Sequence, residues 1–364
     1  MLQDQIKINP FEDYAYNELG RVYWLQQDYA NAEKFFRKQI EVTPLNESAH
    51  SNLGQMLVQA RKFKEAVPEL ERAISLTPDD AALQVSIGRA YLNLGESQKG
   101  SAAFEQAVKL DRSPQTLNDV AYFLAEKGVQ LDKALQYAES AVTSIAVNLR
   151  NVETADLKMD DLADVTSLAA HWDTLGWVYY QKGDLDNAEK YLKAAWTLMQ
   201  HGEVGYHLGM VAEKRGKKDE AIRLYAQASA ALLTAPEAAE NLKRLAGPAS
   251  IDSLMKTGKE DLRAYNVLNL GELIPNLKTR GEAEFYLVFA PDAARNAQVI
   301  DVKFIKGGDS LKAAAAQLKS IKYQLVFPDS SATKIVRRGA LLCLPKPGAC
   351  TFTMLSPEVI TSID

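Results

Sequence analysis

The chain has 364 residues, 47% apolar and 24% charged, which is ordinary for a folded protein and long enough for two or three domains. A net charge of −5 argues against a general nucleic-acid binder, and no apolar run reaches the roughly 18 residues of a membrane span, so no membrane insertion is expected. Two cysteines and four histidines (His50, His171, His201 and His207) occur without C-x-x-C, H-E-x-x-H, G-x-S-x-G or a phosphate-loop glycine pattern, so neither cofactor, metal nor catalytic centre is expected.

From its start the chain repeats itself. "QIKINPFEDYAYNELG" (5–20) matches "QIEVTPLNESAHSNLG" (39–54) at an offset of 34 residues. Leu19-Gly20 thereby falls on Leu53-Gly54, Ala32 on Ala66 and Pro44 on Pro78. Ile87-Gly88 continues the pattern with Tyr91 and Ala107, then Leu175-Gly176 with Tyr179, Ala188 and Ala195, then Leu208-Gly209 with Ala221 and Ala228. Two copies depart from it. Gly100 replaces Ala and Arg112 replaces Pro in the third; Val120-Ala121 stands for Leu-Gly in the fourth, with one extra residue before Ala134. Gln5 to Pro10 read as the end of a second helix whose first helix is missing, so the chain is expected to be a fragment of a longer protein.

The fifth copy, "WDTLGWVYYQKGDLDNAEKYLKAAW" (172–196), shows what the spacing demands. Trp172, Leu175 and Tyr179 share one helix face. Gly176 and Ala188 have almost no side chain, so two helix backbones can approach there. Gly183 can supply a left-handed C-terminal cap, and Asp184 or Asp186 can cap the next helix. One such pair cannot bury its apolar stripe alone, so neighbours must stack. On these residues the chain resembles the tetratricopeptide-repeat proteins, in copies at about 13–46, 47–80, 81–113, 114–141, 169–201 and 202–235. The resemblance implies an all-α superhelix, an α-solenoid, over 1–247, closed by a capping helix "APEAAENLKRLAG" (235–247).

Between Ala141 and Ala169 lie 27 residues where such a repeat has about seven. This insertion, 142–168, is helix-like at both ends, with Asp160 or Asp161 as the expected N-cap of a helix entering the fifth copy. It reads either as a lengthened helix pair packed on its neighbours or as a flap beside the concave groove.

In the family resembled, the first helix of each repeat lines a concave groove. The groove positions here hold Tyr14, Asn17, Arg21 and Trp24, then Ser51, Gln55 and Gln59, then Arg89 and Asn93, then Asn118 and Tyr122. The fifth copy contributes Asp173, Trp177, Tyr180 and Gln181, and the sixth Tyr206. Amides that pair with a backbone, beside aromatic anchors, suit a peptide or partner protein. The other reading is that these groups are solvated or touch the chain's own C-terminal part. The carboxylate clamp that some family members use is not expected, because Ala82 and Ser86 occupy two of its positions although Asn17, Arg21 and Asn52 fit the others.

After the helical part, charge changes sign. From Pro248 onward 15 basic and 12 acidic residues give +3; the remaining 27 and 35 give −8. A boundary is expected at Gly247-Pro248, followed by a helical linker (248–280) containing a helix at about 251–265, and a small α+β domain (281–364). "EAEFYLVFA" and "QVIDVKFIK" alternate as strands, with Phe285, Leu287 and Phe289 on one face and Ile300, Val302 and Phe304 on another. "DSLKAAAAQLKSI" (309–321) reads as a helix capped by Asp309 or Ser310, with Leu311, Ala315 and Leu318 inward. "KIVRRGALLCL" and "CTFTML" complete the sheet. Arg337-Arg338 reads as an edge strand protected by charge, or as a contact for an acidic surface. The pattern of 281–357 resembles the C-terminal domain of the energy transducer TonB, and the whole arrangement resembles the C-terminal halves of large bacterial repeat proteins with a transglutaminase-like N-terminal region.

Cys343 and Cys350 flank a Pro- and Gly-containing reversal. If Leu344 pairs with Ala349, the cysteines stand opposite each other, within disulfide reach. They form either a bond, which would imply an extracytoplasmic home, or two small buried thiols. The function expected is a non-enzymatic scaffold that binds a peptide or protein. The alternative is a regulatory or substrate-presenting part of a larger enzyme.

Overall fold

The computed structural model describes Asn9 and residues 13–231, 233–270, 280–329, 333–344 and 350–356. Apart from Asn9, the half-repeat expected at Gln5 to Pro10 lies outside the described residues. Helices follow in the expected pairs: α1 (Asp13–Leu25) with α2 (Tyr29–Val42), α3 (Glu47–Gln59) with α4 (Phe63–Leu76), α5 (Ala81–Asn93) with α6 (Ser97–Leu110), and α7 (Pro114–Glu126) with α8 (Leu131–Leu149). After a 3-10 turn at Thr154–Asp156 come α9 (Met159–Lys182) with α10 (Leu185–Leu198), α11 (Gly202–Lys214) with α12 (Lys218–Ala230), then α13 (Pro236–Ala246) and α14 (Ile251–Tyr265). By internal contacts the chain divides into two compact units, Met1–Tyr137 and Ala138–Asp364.

In each unit the pairs close through one device. A Cβ on Gly20 would lie 2.5 Å from Phe36, on Gly54 2.7 Å from Leu70, and on Gly88 2.5 Å from Phe104. In the C-terminal unit the same holds for Gly176 with Leu192 (2.7 Å) and Gly209 with Tyr225 (2.4 Å). The filling side chain always lies 16 residues after the glycine, one turn beyond the small residues Ala32, Ala66, Ala188 and Ala221, all fully buried. Gly100, which departs from the repeat, makes a similar contact: a Cβ there would meet Leu92 at 2.7 Å.

The turn inside each pair is left-handed. Gly183 closes α9 at φ 83°, and Asp184 accepts the Asn187 N–H at 3.1 Å to start α10. At the matching turns Gln27 (φ 59°) and Arg61 (φ 60°) hold that conformation without being glycine, at a cost of about 1 kcal/mol each.

The insertion lengthens α8 and α9, and its connection joins the sheet. Helix α9 starts two or three residues earlier than expected. Its N-cap is Lys158, and Asp161 sits in the first turn, accepting the Lys158 N–H at 2.8 Å. The Thr154 hydroxyl bonds Asp301, the Lys334 N–H donates to the Leu149 carbonyl at 3.3 Å, and Lys334 Nζ donates to the Val152 carbonyl at 3.1 Å. By internal contacts α9 to α14 belong to one unit with the sheet.

The sheet holds β1 (Val267–Asn269), β2 (Gly281–Pro291), β3 (Ala297–Gly307), β4 (Ile335–Cys343) and β5 (Cys350–Met354), with α15 (Ala314–Leu318) between β3 and β4. All pairings are antiparallel, in the order β1-β5-β4-β2-β3. Several expectations need correction. The stretch 309–321 is a 3-10 turn (Asp309–Leu311) followed by the short α15. Three-residue spacing at its start brings Ala314 inward with Leu311 and Leu318, in place of Ala315. Neither Asp309 nor Ser310 caps it: Gly308 precedes the turn and Ala313 precedes α15. A bulge between Val288 and Phe289 leaves Ile300 unpaired, so Val299, opposite Phe289, takes the buried place. Strand β4 is central, not an edge. Arg338 is buried against Glu284 at 2.7 Å, and Arg337 is buried on the other face of the strand. Cys343 and Cys350 pair in register and are joined by a disulfide; the loop residues 345–349 lie outside the described residues.

Candidate functional site

On α1, Tyr14, Asn17, Arg21 and Trp24 recur at three- and four-residue spacing and so share a face. The Trp24 indole N–H donates to Gln59 Oε1 at the end of α3, and its ring meets Phe36 edge-on at 6.2 Å. Two turns earlier, the Asn52 amide donates to Asn17 Oδ1 at 2.8 Å. Gln55 donates to the Ser51 hydroxyl at 3.0 Å, which aims it along its own helix. Arg21 stays on the surface and pairs with Glu18 at 3.2 Å. Arg21, Trp24, Leu25, Gln27 and Gln59 enclose an open cavity of about 350 Å³. In its lining Leu25 is 84% exposed, and two turns before Arg21 on the same helix Tyr14 is 61% exposed.

Further along the same unit, Arg89 lies over the Phe123 ring at 4.9 Å, and Asn93 donates to the Arg89 carbonyl at 2.9 Å. Tyr122 packs edge-on against Phe123 at 5.5 Å. Asn118 is buried, and its Oδ1 has no partner.

The C-terminal unit treats the same repeat positions differently. Asp173 is 7% exposed and accepts from His207 Nδ1 at 2.9 Å. Trp177, 6% exposed, is sandwiched between His207 (4.2 Å) and Tyr180 (5.0 Å), with rings within 15° of parallel. Lys214 Nζ caps the stack 4.5 Å from the Tyr180 ring. Tyr206 tilts against His207 at 5.7 Å and against Tyr225 at 6.1 Å. Burial pushes the Tyr180 and Tyr206 phenols up. Burial also opposes the charged form of His207, but the Asp173 charge and hydrogen bond, helped by Glu203 and Glu237, hold its imidazole above the ordinary value. This cluster is a packed, paired core and presents no open anchor.

Among the described residues no group of three or more His, Cys, Asp or Glu side chains is placed to hold a metal ion. No described helix is long and apolar enough to cross a membrane. Sequence reasoning missed Leu25, Gln27 and Lys214. A usable signal existed for the pairings: Asn17 with Asn52 and Trp24 with Gln59 lie 35 residues apart, and Asp173 with His207 34, about one repeat.

Residues 13–44, 51–116, 172–198 and 206–240 match tetratricopeptide-repeat models, and the chain carries these repeats. No curated protein matches the sequence. A solved chain of the APC/C hetero-tetramer Cut9-Hcn1 is similar at 16% identity, with a TM-score of 0.50 over 67% of this chain; the chain spans 45% of that relative. PilW, described as a widely conserved type IV pilus biogenesis factor, is similar at 16% identity and TM-score 0.47, over 63% of this chain and 98% of its own. YrrB, described as a repeat protein with an unusual peptide-binding site, is similar at 18% identity and TM-score 0.39, over 60% of this chain and 98% of its own. At these identities the likeness shows the fold alone.

Proposed function

We propose that the chain is a non-enzymatic interaction scaffold whose N-terminal unit holds an extended peptide or a partner's helix along α1 and α3. The observation that carries this reading is the open cavity of about 350 Å³ at Arg21, Trp24, Leu25, Gln27 and Gln59, with exposed Tyr14 further along the same helix face. It joins an aromatic wall, a cation and two amides, the mixture that anchors a side chain while pairing a backbone. Gln55, Arg89, Asn93 and Tyr122 extend the same row of first-helix positions, whereas Asn118, Asp173 and Trp177 are committed to packing. Against catalysis stands the burial of the His207–Asp173 pair beneath aromatic rings, with no nucleophile against it. The Cys343–Cys350 disulfide supports an oxidising compartment. For the sheet region, the strand-strand-helix-strand-strand order of 281–354 supports the kinship with the TonB C-terminal domain.

The test is recovery of a partner, followed by calorimetry with Trp24→Ala and Arg21→Ala. We expect affinity to fall about tenfold or more for Trp24→Ala, the anchor, with the fold intact. Unchanged affinity in both variants removes the assignment.

A further inference from the structure

Arg337 is 4% exposed, at the centre of the sheet. Its Nη1 donates to the Leu198 carbonyl at the end of α10 at 2.8 Å, and its Nη2 to the Leu355 carbonyl at 3.0 Å. Its Nε–H is buried and has no partner. Among the described residues no carboxylate pairs with it: Arg338, its neighbour, takes Glu284 on the opposite face. Burial pushes the Arg337 guanidinium down to about 10, still charged at neutral pH. Nor is Tyr265 the missing anion. Burial pushes its phenol well up, and its hydroxyl donates to the Gln324 carbonyl at 3.3 Å.

Beside this guanidinium lies a chamber of about 30 Å³, lined by Thr197, Tyr265, Asn266, Tyr323, Arg337 and Met354 among others. The Thr197 hydroxyl is spent: it donates to the Ala194 carbonyl at 3.0 Å and accepts the Val326 N–H at 3.2 Å. Asn266 gives one amide hydrogen to Gln200 Oε1 at 2.7 Å and keeps its second. The chamber is therefore lined by a full positive charge and a residue with an amide hydrogen to spare, with room for one small particle. A water fits such a volume but brings no charge. An uncompensated buried cation is costly, and an anion removes that cost.

We propose that this chamber binds a monovalent anion of chloride's size, held by the Arg337 guanidinium and the free Asn266 amide hydrogen. The ion neutralises the guanidinium that ties α10 to the central strand. The chamber shares Thr197, Tyr265 and Gln324 with a larger open cleft of about 440 Å³, which supplies a route for exchange.

Thermal midpoints of the full chain in sodium chloride and in sodium gluconate, at one ionic strength near about 200 mM, test the idea. The midpoint in chloride should exceed that in gluconate by about 5 °C or more, and Arg337→Gln should abolish the difference. Should that variant not fold, bromide soaked at about 100 mM into crystals of the wild type decides the matter by its anomalous signal. A peak in the chamber within hydrogen-bond reach of the Arg337 guanidinium supports the site. Equal midpoints in the two salts, a water or a carboxylate of the chain in the chamber, or a bromide peak only at molar concentration each overturn it.

Discussion

Asn17, Arg21 and Trp24 in the N-terminal unit occupy the repeat positions that Asp173, Trp177 and Tyr180 occupy in the C-terminal unit. Of the first three, Asn17 and Trp24 are each linked to α3 by one side-chain hydrogen bond, and Arg21 and Trp24 border an open cavity. The second three are closed over by His207, which pairs with Asp173 and stacks on Trp177. Repeat position thus fixes which way a side chain points. What the next repeat presents, one period later, decides whether that side chain is available to a partner. A flat imidazole with a buried carboxylate seals the site; an amide at the end of α3 leaves it open.

The comparison is most easily broken by removing its two tryptophans. Trp177→Ala empties a sandwich between two rings and should cost about 3–5 kcal/mol of stability. Trp24→Ala removes a half-buried ring and one hydrogen bond, and should cost about 1 kcal/mol. Denaturant titrations of each variant measure both. Equal losses would mean that Trp24 is as much a packing residue as Trp177, and the open site would lose its anchor.

A somewhat smaller effect should be common to both units, because it concerns the scaffold and not the face. Gly54→Leu drives a side chain into Leu70, and Gly176→Leu drives one into Leu192. Each should destabilise by about 2–4 kcal/mol through overpacking. A loss confined to one unit would show that the helix pairs are closed by different means in the two.

The helix pairs were legible because Gly and Ala recur at fixed spacing for a steric reason that acts within one repeat, and because Gly183 and Asp184 carry their capping chemistry locally. The Cys343–Cys350 register was legible for the same reason: a short reversal sets it. What was hidden depends on partners distant in sequence. Thr154 meets Asp301 across 147 residues, and nothing near Thr154 announces a sheet. Arg337-Arg338 looks like a charged edge until Glu284 and the Leu198 carbonyl are placed beside it. Strand β1, three residues inside a helical linker, is too short for an alternation to show. At the candidate site, Trp24 and Trp177 are both aromatic and both helical in sequence, at different repeat positions, and the sequence near Trp177 does not announce the His207 ring that stacks on it.

The smallest expected effect probes that sealing group by pH. In the folded protein His207 titrates above its ordinary value, whereas in the unfolded chain it titrates at about 6.5. A group raised on folding adds stability that is fully present below the unfolded value and is lost as pH rises through the folded one. His207→Gln removes that contribution. The gap in thermal midpoint between wild type and variant should therefore be widest at about pH 6 and narrow by a few degrees as pH rises through the raised value. The Trp24→Ala gap should stay level over the same interval. A His207→Gln gap that is also level would mean that the imidazole is neutral throughout. Asp173 would then face it with a hydrogen bond and no ion pair, and the sealing of the second unit would rest on ring stacking alone.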